Sequence, residues 1–135
     1  MNYEQLNNVS KCYTFRKTIT PGDSGYLDAE LSSHGYVKTV RVRFAAGENG
    51  TLHIRPTVVI PQEIPIDLIS YAKGGDKYIS GDDETFQSDV KFEIENHALL
   101  RVWYDNTGIG NSFLNVDIDV EYFSIVEAAN IIGTH

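Results

Sequence analysis

The sequence predicts an all-β domain: an antiparallel two-sheet sandwich, jelly-roll-like, built from seven to eight short strands. Three observations predict it. Apolar and polar residues alternate over many short segments, as strands with one face in a core require. Clusters of Gly, Pro, Asn and Ser separate those segments. The chain has 135 residues, of which 41% are hydrophobic and 11% aromatic. That is enough to bury about two-thirds of the unfolded surface around one core. A single domain over 1–135 follows, with an N-terminal segment over 1–10 and a C-terminal arm over 124–135.

Taken in order, Tyr13, Phe15 and Ile19 face away from Thr14, Arg16 and Thr18. Thr20-Pro21-Gly22-Asp23-Ser24-Gly25 then turns the chain into a second strand, where Leu27, Ala29 and Leu31 oppose Asp28 and Glu30. After Ser32-Ser33-His34-Gly35, Val37 to Ala45 places Val40, Val42 and Phe44 inward against Thr39, Arg41 and Arg43. Gly47-Glu48-Asn49-Gly50 reads as a hairpin turn, because Asn-Gly readily takes positive φ. It leads to Leu52, Ile54 and Val58 set against His53, Arg55 and Thr57.

Pro61 and Pro65 cannot donate to a ladder, so Ile60 to Ala72 reads as an edge crossing or a long connection. Gly74 to Gln87 is polar and Gly-rich and reads as a long loop, with room for a short strand around Lys77 to Ser80. Val90, Phe92 and Ile94 alternate with Lys91, Glu93 and Glu95, and Glu95-Asn96-His97 reads as a tight reversal. Leu100, Val102 and Tyr104 then alternate with Arg101 and Trp103. A Gly/Asn loop over Asp105 to Asn111 precedes the clearest strand, Phe113 to Phe123. There Leu114, Val116, Ile118, Val120 and Tyr122 share one face, and Asn115, Asp117, Asp119 and Glu121 the other. From Ser124 the period of two is lost, and Ile125-Val126-Glu127-Ala128-Ala129 suits one helical turn or an arm that orders against a partner.

Charge and motif content narrow the function classes. The net charge of −8 repels phosphate, which argues against a nucleic-acid partner. No apolar run approaches the ~20 residues of a membrane span, and the first residues lack the basic and apolar regions of a signal peptide. No membrane partner is expected. Cys12 is the only cysteine, so no internal disulfide forms, and at a strand start it is most simply a small packed residue. His34, His53, His97 and His135 match no zinc spacing. Nucleophile elbows, phosphate loops and metalloprotease motifs are absent.

Three features bear on chemistry. Carboxylates of Asp117, Asp119 and Glu121 stand ~6.5–7 Å apart along one strand face, a separation that touches glycosidase pairs. Their plainer reading is a solvent face paired with Arg41 and Arg43 across strands. Asp82, Asp83 and Glu84 sit on a Gly-flanked loop that offers oxygens to Ca²⁺, though without EF-hand spacing; a solvated turn is the plainer reading, and no cofactor is otherwise implied. Trp103, the only Trp, points away from Leu100, Val102 and Tyr104, so it is either an interface anchor or part of a second buried layer.

The order of parts from about Ser88 to Phe123 resembles small β-sandwich virion proteins of tailed bacteriophages. The matching parts are Glu93-Ile94-Glu95-Asn96, then Leu99-Leu100-Arg101-Val102-Trp103-Tyr104, Asn106-Thr107-Gly108 and the closing strand Asn115 to Phe123. Thr20 to Leu27 is similar to the first hairpin of such domains. The likeness covers a quarter to a third of the chain, and carbohydrate-binding sandwiches share its pattern. It implies a non-catalytic structural or assembly role in a virion assembled in the host cytoplasm. Copies of the chain, or capsid or tail proteins, would be the partners.

Under that reading the interface candidates are Trp103, Arg101, Tyr71, Tyr78, Ile125 and Ile131. The alternative is a carbohydrate-binding module that stacks sugars on Trp103, Tyr71 or Tyr78 with Ca²⁺ near Asp82 and Asp83. A small glycosidase or lyase using Asp117 and Asp119 is the third reading.

Overall fold

A computed structural model describes residues 8–69, 77–95 and 97–123. Alternation becomes eight strands: β1 (Val9–Ile19), β2 (Ser24–Glu30), β3 (Gly35–Phe44), β4 (Leu52–Val59), β5 (Ile66–Asp67), β6 (Glu84–Ile94), β7 (Leu99–Asn106) and β8 (Ser112–Tyr122). One sheet has the order β1-β8-β3-β6 and the other β2-β7-β4-β5, every pairing antiparallel. Successive strands therefore change sheets at every step except β4 to β5. This is the jelly roll, two Greek keys folded face to face.

The inward residues of the four central strands make the core. Val116, Ile118 and Val120 of β8 meet Val37, Val40 and Val42 of β3, and Ile54, Val58, Leu100 and Val102 close it from the other sheet. Each such side chain contributes about 1.5–3 kcal/mol when fully buried. At the open side Tyr13 and Tyr122 share a buried hydroxyl–hydroxyl hydrogen bond. Tyr122 Oη also accepts the Ser32 amide at 3.2 Å, so the phenol oxygens enter the interior with partners.

Several local readings are corrected by the sheet switching. The corner at Gly47, Asn49 and Gly50 has positive φ at all three residues, as the Asn-Gly reading requires. It is nevertheless no hairpin, because β3 and β4 lie in opposite sheets. The same holds for Thr20 to Leu27, since β1 and β2 also lie in opposite sheets. Turn chemistry specifies a reversal; it does not specify which sheet receives the chain.

The expected loop over Gly74 to Gln87 ends early, because β6 begins at Glu84 and pairs with Phe44. Exposed Thr85 and Gln87 hid this edge strand, whose inward Phe86 is only partly buried. Cys12 is exposed, not packed, because Tyr13 and Phe15 take the inward parity of β1. Val9 and Ser10 belong to β1, and residues 1–7 of the expected N-terminal segment lie outside the described residues. The C-terminal arm lies outside the described residues.

Two irregularities have identifiable causes. Val37 and Val40 are both fully buried although three residues apart, because β3 bulges at Lys38 and resets its parity. Pro56 sits inside β4, where a missing N–H should break the ladder. Ile54 exchanges both backbone bonds with Ile79 at 2.9 and 2.8 Å, on the side away from β7. Two residues on, the Pro56 nitrogen faces that same side, ahead of the two-residue β5. The expected short strand near Lys77 to Ser80 is this single bridge at Ile79.

Candidate functional site: an aromatic and arginine face

The most chemically distinctive surface is the outer face of the β7 sheet. Register alone assembles it. Tyr26 of β2 lies opposite Trp103 of β7, and Trp103 opposite Arg55 of β4. In the next row Asp28 lies opposite Arg101, Arg101 opposite Thr57, and Thr57 opposite Asp67. Three residues from widely separated parts of the chain thus become cross-strand neighbours, the unit of sheet stabilisation.

The rings and cations interleave. Tyr26 and Trp103 tilt against each other with centroids 5.0 Å apart. The Arg101 guanidinium lies 3.9 Å from the Tyr26 ring centre and 5.4 Å from that of Trp103. Arg55 reaches Trp103 at 5.8 Å and Tyr78 at 5.9 Å. Each contact is a cation over a π face. The arginines are held by carboxylates of the same face: Arg101 binds Asp28 through two bonds of 2.7 and 2.9 Å, and Arg55 binds both oxygens of Asp67. The bidentate partners push both guanidinium pKa values further up, so both stay charged.

Trp103 is neither a bare platform nor a core residue. It is half-buried, and its indole N–H donates to Thr57 Oγ at 3.2 Å. That hydroxyl donates in turn to the Arg101 carbonyl at 2.8 Å. Thr57, outward by alternation, is therefore completely covered. Tyr26 and Tyr78 remain 47% and 41% exposed, so the face presents aromatic surface to solvent on both flanks of the indole.

Of the sequence candidates, Trp103, Arg101 and Tyr78 come together here. Tyr71, Ile125 and Ile131 lie outside the described residues. Tyr26 and Arg55 were missed. Their outward parity was legible, but only the pairing of β2 and β4 with β7 places them beside Trp103.

The other two candidates resolve into paired charges. Asp117 binds Arg16 at 2.8 Å and lies 3.6 Å from Arg41. Asp119 accepts from Thr39 at 2.6 Å, and that bond holds its carboxyl below the usual range, the opposite of what a general acid needs. Glu121 accepts from the Tyr36 hydroxyl. Arg41 thus meets the carboxylate row as expected, whereas Arg43 binds Asp83 at 2.8 Å. Asp82 accepts the amides of Gly47 and Asn49 at 2.8 and 3.1 Å, and Glu84 accepts the Asp82 amide at 3.2 Å. The loop carboxylates hold a corner together instead of converging on a point. Among the described residues no group of three His, Cys, Asp or Glu side chains gathers as a metal site, and no helix is long and apolar enough to cross a membrane.

Fold and face together define a jelly-roll β-sandwich domain with an aromatic and arginine surface. No protein-family model and no curated protein matches the sequence. Among solved structures the chain is similar to the Yersinia pseudotuberculosis-derived mitogen, at 11% identity and a TM-score of 0.47 over 86% of this chain and 89% of that one. It is also similar to a chain of infectious bursal disease virus, Gt strain, at 10% identity and a TM-score of 0.48. That match covers 84% of this chain and spans about a third, 32%, of the viral one. A third is Aeromonas hydrophila PliG, a periplasmic inhibitor of g-type lysozyme, at 13% identity and a TM-score of 0.36, covering 81% and 83% of the two chains. Identities and scores of this size lend the chain no family, ligand or activity.

Proposed function

We propose that this domain is a non-catalytic structural or assembly protein that docks on a partner protein through the outer face of its β7 sheet. One observation carries the reading: Tyr26, Trp103 and Tyr78 interleave with Arg55 and Arg101, the residue types that dominate binding at protein interfaces. Asp28 and Asp67 fix the arginines beforehand, so little side-chain freedom is lost on docking. The finer assignment, a bacteriophage virion component bound to a capsid or tail protein, rests on the order of parts from Ser88 to Phe123.

A photo-crosslinking residue placed at Tyr26 or Tyr78 tests it in cells that make the protein with its natural neighbours. A crosslink to one defined polypeptide is expected from the face, and none from Asp89 on the outer surface of the other sheet. Equal labelling from both positions, or none from the face, refutes the docking role. A virion polypeptide as the product supports the finer assignment.

The exposed tyrosine rings also support a second reading, sugar stacking. Trp103, flanked on both sides by guanidinium groups and leaned on by Tyr26, offers less open ring than such a site uses. A glycan array with and without chelator separates the readings, and binding that is lost in a Tyr26→Ala variant would favour the sugar.

A further inference from the structure

The aromatic face leaves ring surface open at its two flanks, and the electrostatic setting of the flanks differs. Along the row the chain's own cations take up the inner ring surfaces: Arg101 contacts both Tyr26 and Trp103, and Arg55 both Trp103 and Tyr78. Both guanidinium groups are already paired with carboxylates, Arg101 with Asp28 and Arg55 with Asp67, so neither offers a free positive charge to an acidic partner. What remains for a partner is the open side of the terminal rings. Tyr26 ends the row at the edge strand β2 and is 47% exposed. Arg101 lies 3.9 Å from its ring centre, but two bonds to Asp28 offset that charge. A second cation on the free side of the ring therefore meets little repulsion and gains the attraction of the π face.

The surroundings of Tyr26 are acidic. Register sets Asp105 opposite Ser24, which places it diagonal to Tyr26 at the ~7–8 Å of such neighbours. Glu30 follows Asp28 on the same outward parity of β2. Among the described residues no Lys, Arg or His forms an ion pair with Asp105 or Glu30. Asp105 has Ser24 on one side and His53 on the other as cross-strand neighbours. With Asp28 and Asp67 cancelled by Arg101 and Arg55, these two carboxylates are the unbalanced charge of the face. The Tyr78 flank has a different setting, since exposed Lys77 precedes the ring and Arg55 lies against it. Only the Tyr26 flank joins an open ring to an unpaired carboxylate.

Resting on the docking role proposed above, we infer that the partner polypeptide presents an arginine to Tyr26, its guanidinium laid on the free side of the ring and its charge met by Asp105. A planar guanidinium stacks on a ring and still directs N–H groups to a carboxylate, which an ammonium does less well. Trp103 is the only tryptophan, so its fluorescence reports on the site directly. The probes are hexa-arginine and hexa-lysine peptides, titrated into the purified full chain at about 0.15 M salt. Hexa-arginine is expected to change the emission and to bind about threefold more tightly than hexa-lysine. Tyr26→Ala erases that preference, Tyr26→Phe keeps it, and Asp105→Asn weakens both peptides about threefold. Asp89→Asn, which removes a charge from the outer surface of the other sheet, changes neither affinity. Equal affinity for the two peptides, a preference that survives Tyr26→Ala, an effect of Asp89→Asn as large as that of Asp105→Asn, or no binding at about 1 mM peptide would each overturn the inference. A crosslink from Tyr26 to a segment without arginine would overturn it too and leave the docking role standing, whereas absence of any crosslink from the face removes the docking role itself.

Discussion

Asn106 is the residue whose removal discriminates most sharply between a loop held by design and one held by chance. It is completely buried at the end of β7, and its amide spans three backbone groups from two parts of the chain: the Ile19 carbonyl, the Gly110 carbonyl and the Gly108 amide. Asn106→Ala removes all three bonds and leaves the Ile19 carbonyl without that donor in the interior. At about 1 kcal/mol net per bond the loss is about 3 kcal/mol, a fall of roughly 10 °C in melting temperature for a domain of this size. Asn106→Asp is the sharper test. It keeps the acceptor for Gly108 but turns a carboxylate oxygen toward two carbonyl oxygens.

At neutral pH the aspartate variant should therefore be less stable than the alanine one. The sign with pH follows from the same contacts. Protonation restores a donor, so the folded state binds that proton more tightly than the unfolded chain, and stability is regained as pH falls. Urea denaturation followed by circular dichroism, at neutral pH and near pH 4, measures both effects. An alanine variant that loses less than about 1 kcal/mol, or an aspartate variant as stable as the alanine one at neutral pH, would refute the reasoning.

Two further outcomes follow from the geometry. Glu48 is 5% exposed and its Oε1 accepts the Phe113 amide; burial raises its pKa above the ordinary 4.5, outweighing the backbone amides of Phe113 and Ala45 that pull it down, with Asp82 adding to the rise and Arg43 opposing it. The folded chain then holds this proton more tightly than the unfolded one, so stability falls as pH rises from about 4.5 through the raised folded value; Glu48→Gln should flatten that part of the denaturation profile, and an unchanged slope would contradict it. Gly35 meets the Glu121 carbonyl oxygen at 2.1 Å and Tyr122 Cα at 2.9 Å from where a Cβ would stand, both backbone atoms of β8. Gly35→Ala should cost at least about 3 kcal/mol by thermal unfolding, and a loss within the error of the melt would show that β3 and β8 separate easily.

Much of the fold was legible because period-two alternation is a local property. The inward set of β8, Leu114 to Tyr122, is buried throughout, and the outward set is only partly covered. Where local signals failed, a tertiary cause took over. Gly47 to Gly50 has the residues of a hairpin, yet the next strand belongs to the opposite sheet. Glu84 to Gln87 looked like loop because an edge strand needs few apolar residues. Pro56 was tolerated because its nitrogen faces a gap that no local pattern announces.

By itself, then, the order of side chains determined the inward residues of the long strands and most of the places where the chain reverses, since each depends on neighbours a few positions away. Which strands lie side by side was decided only when two apolar faces closed on one another. That choice set Tyr26 against Trp103 and Trp103 against Arg55, residues separated by 77 and 48 positions. The aromatic face is a property of lateral register, and register is fixed by the shared core rather than by any one strand.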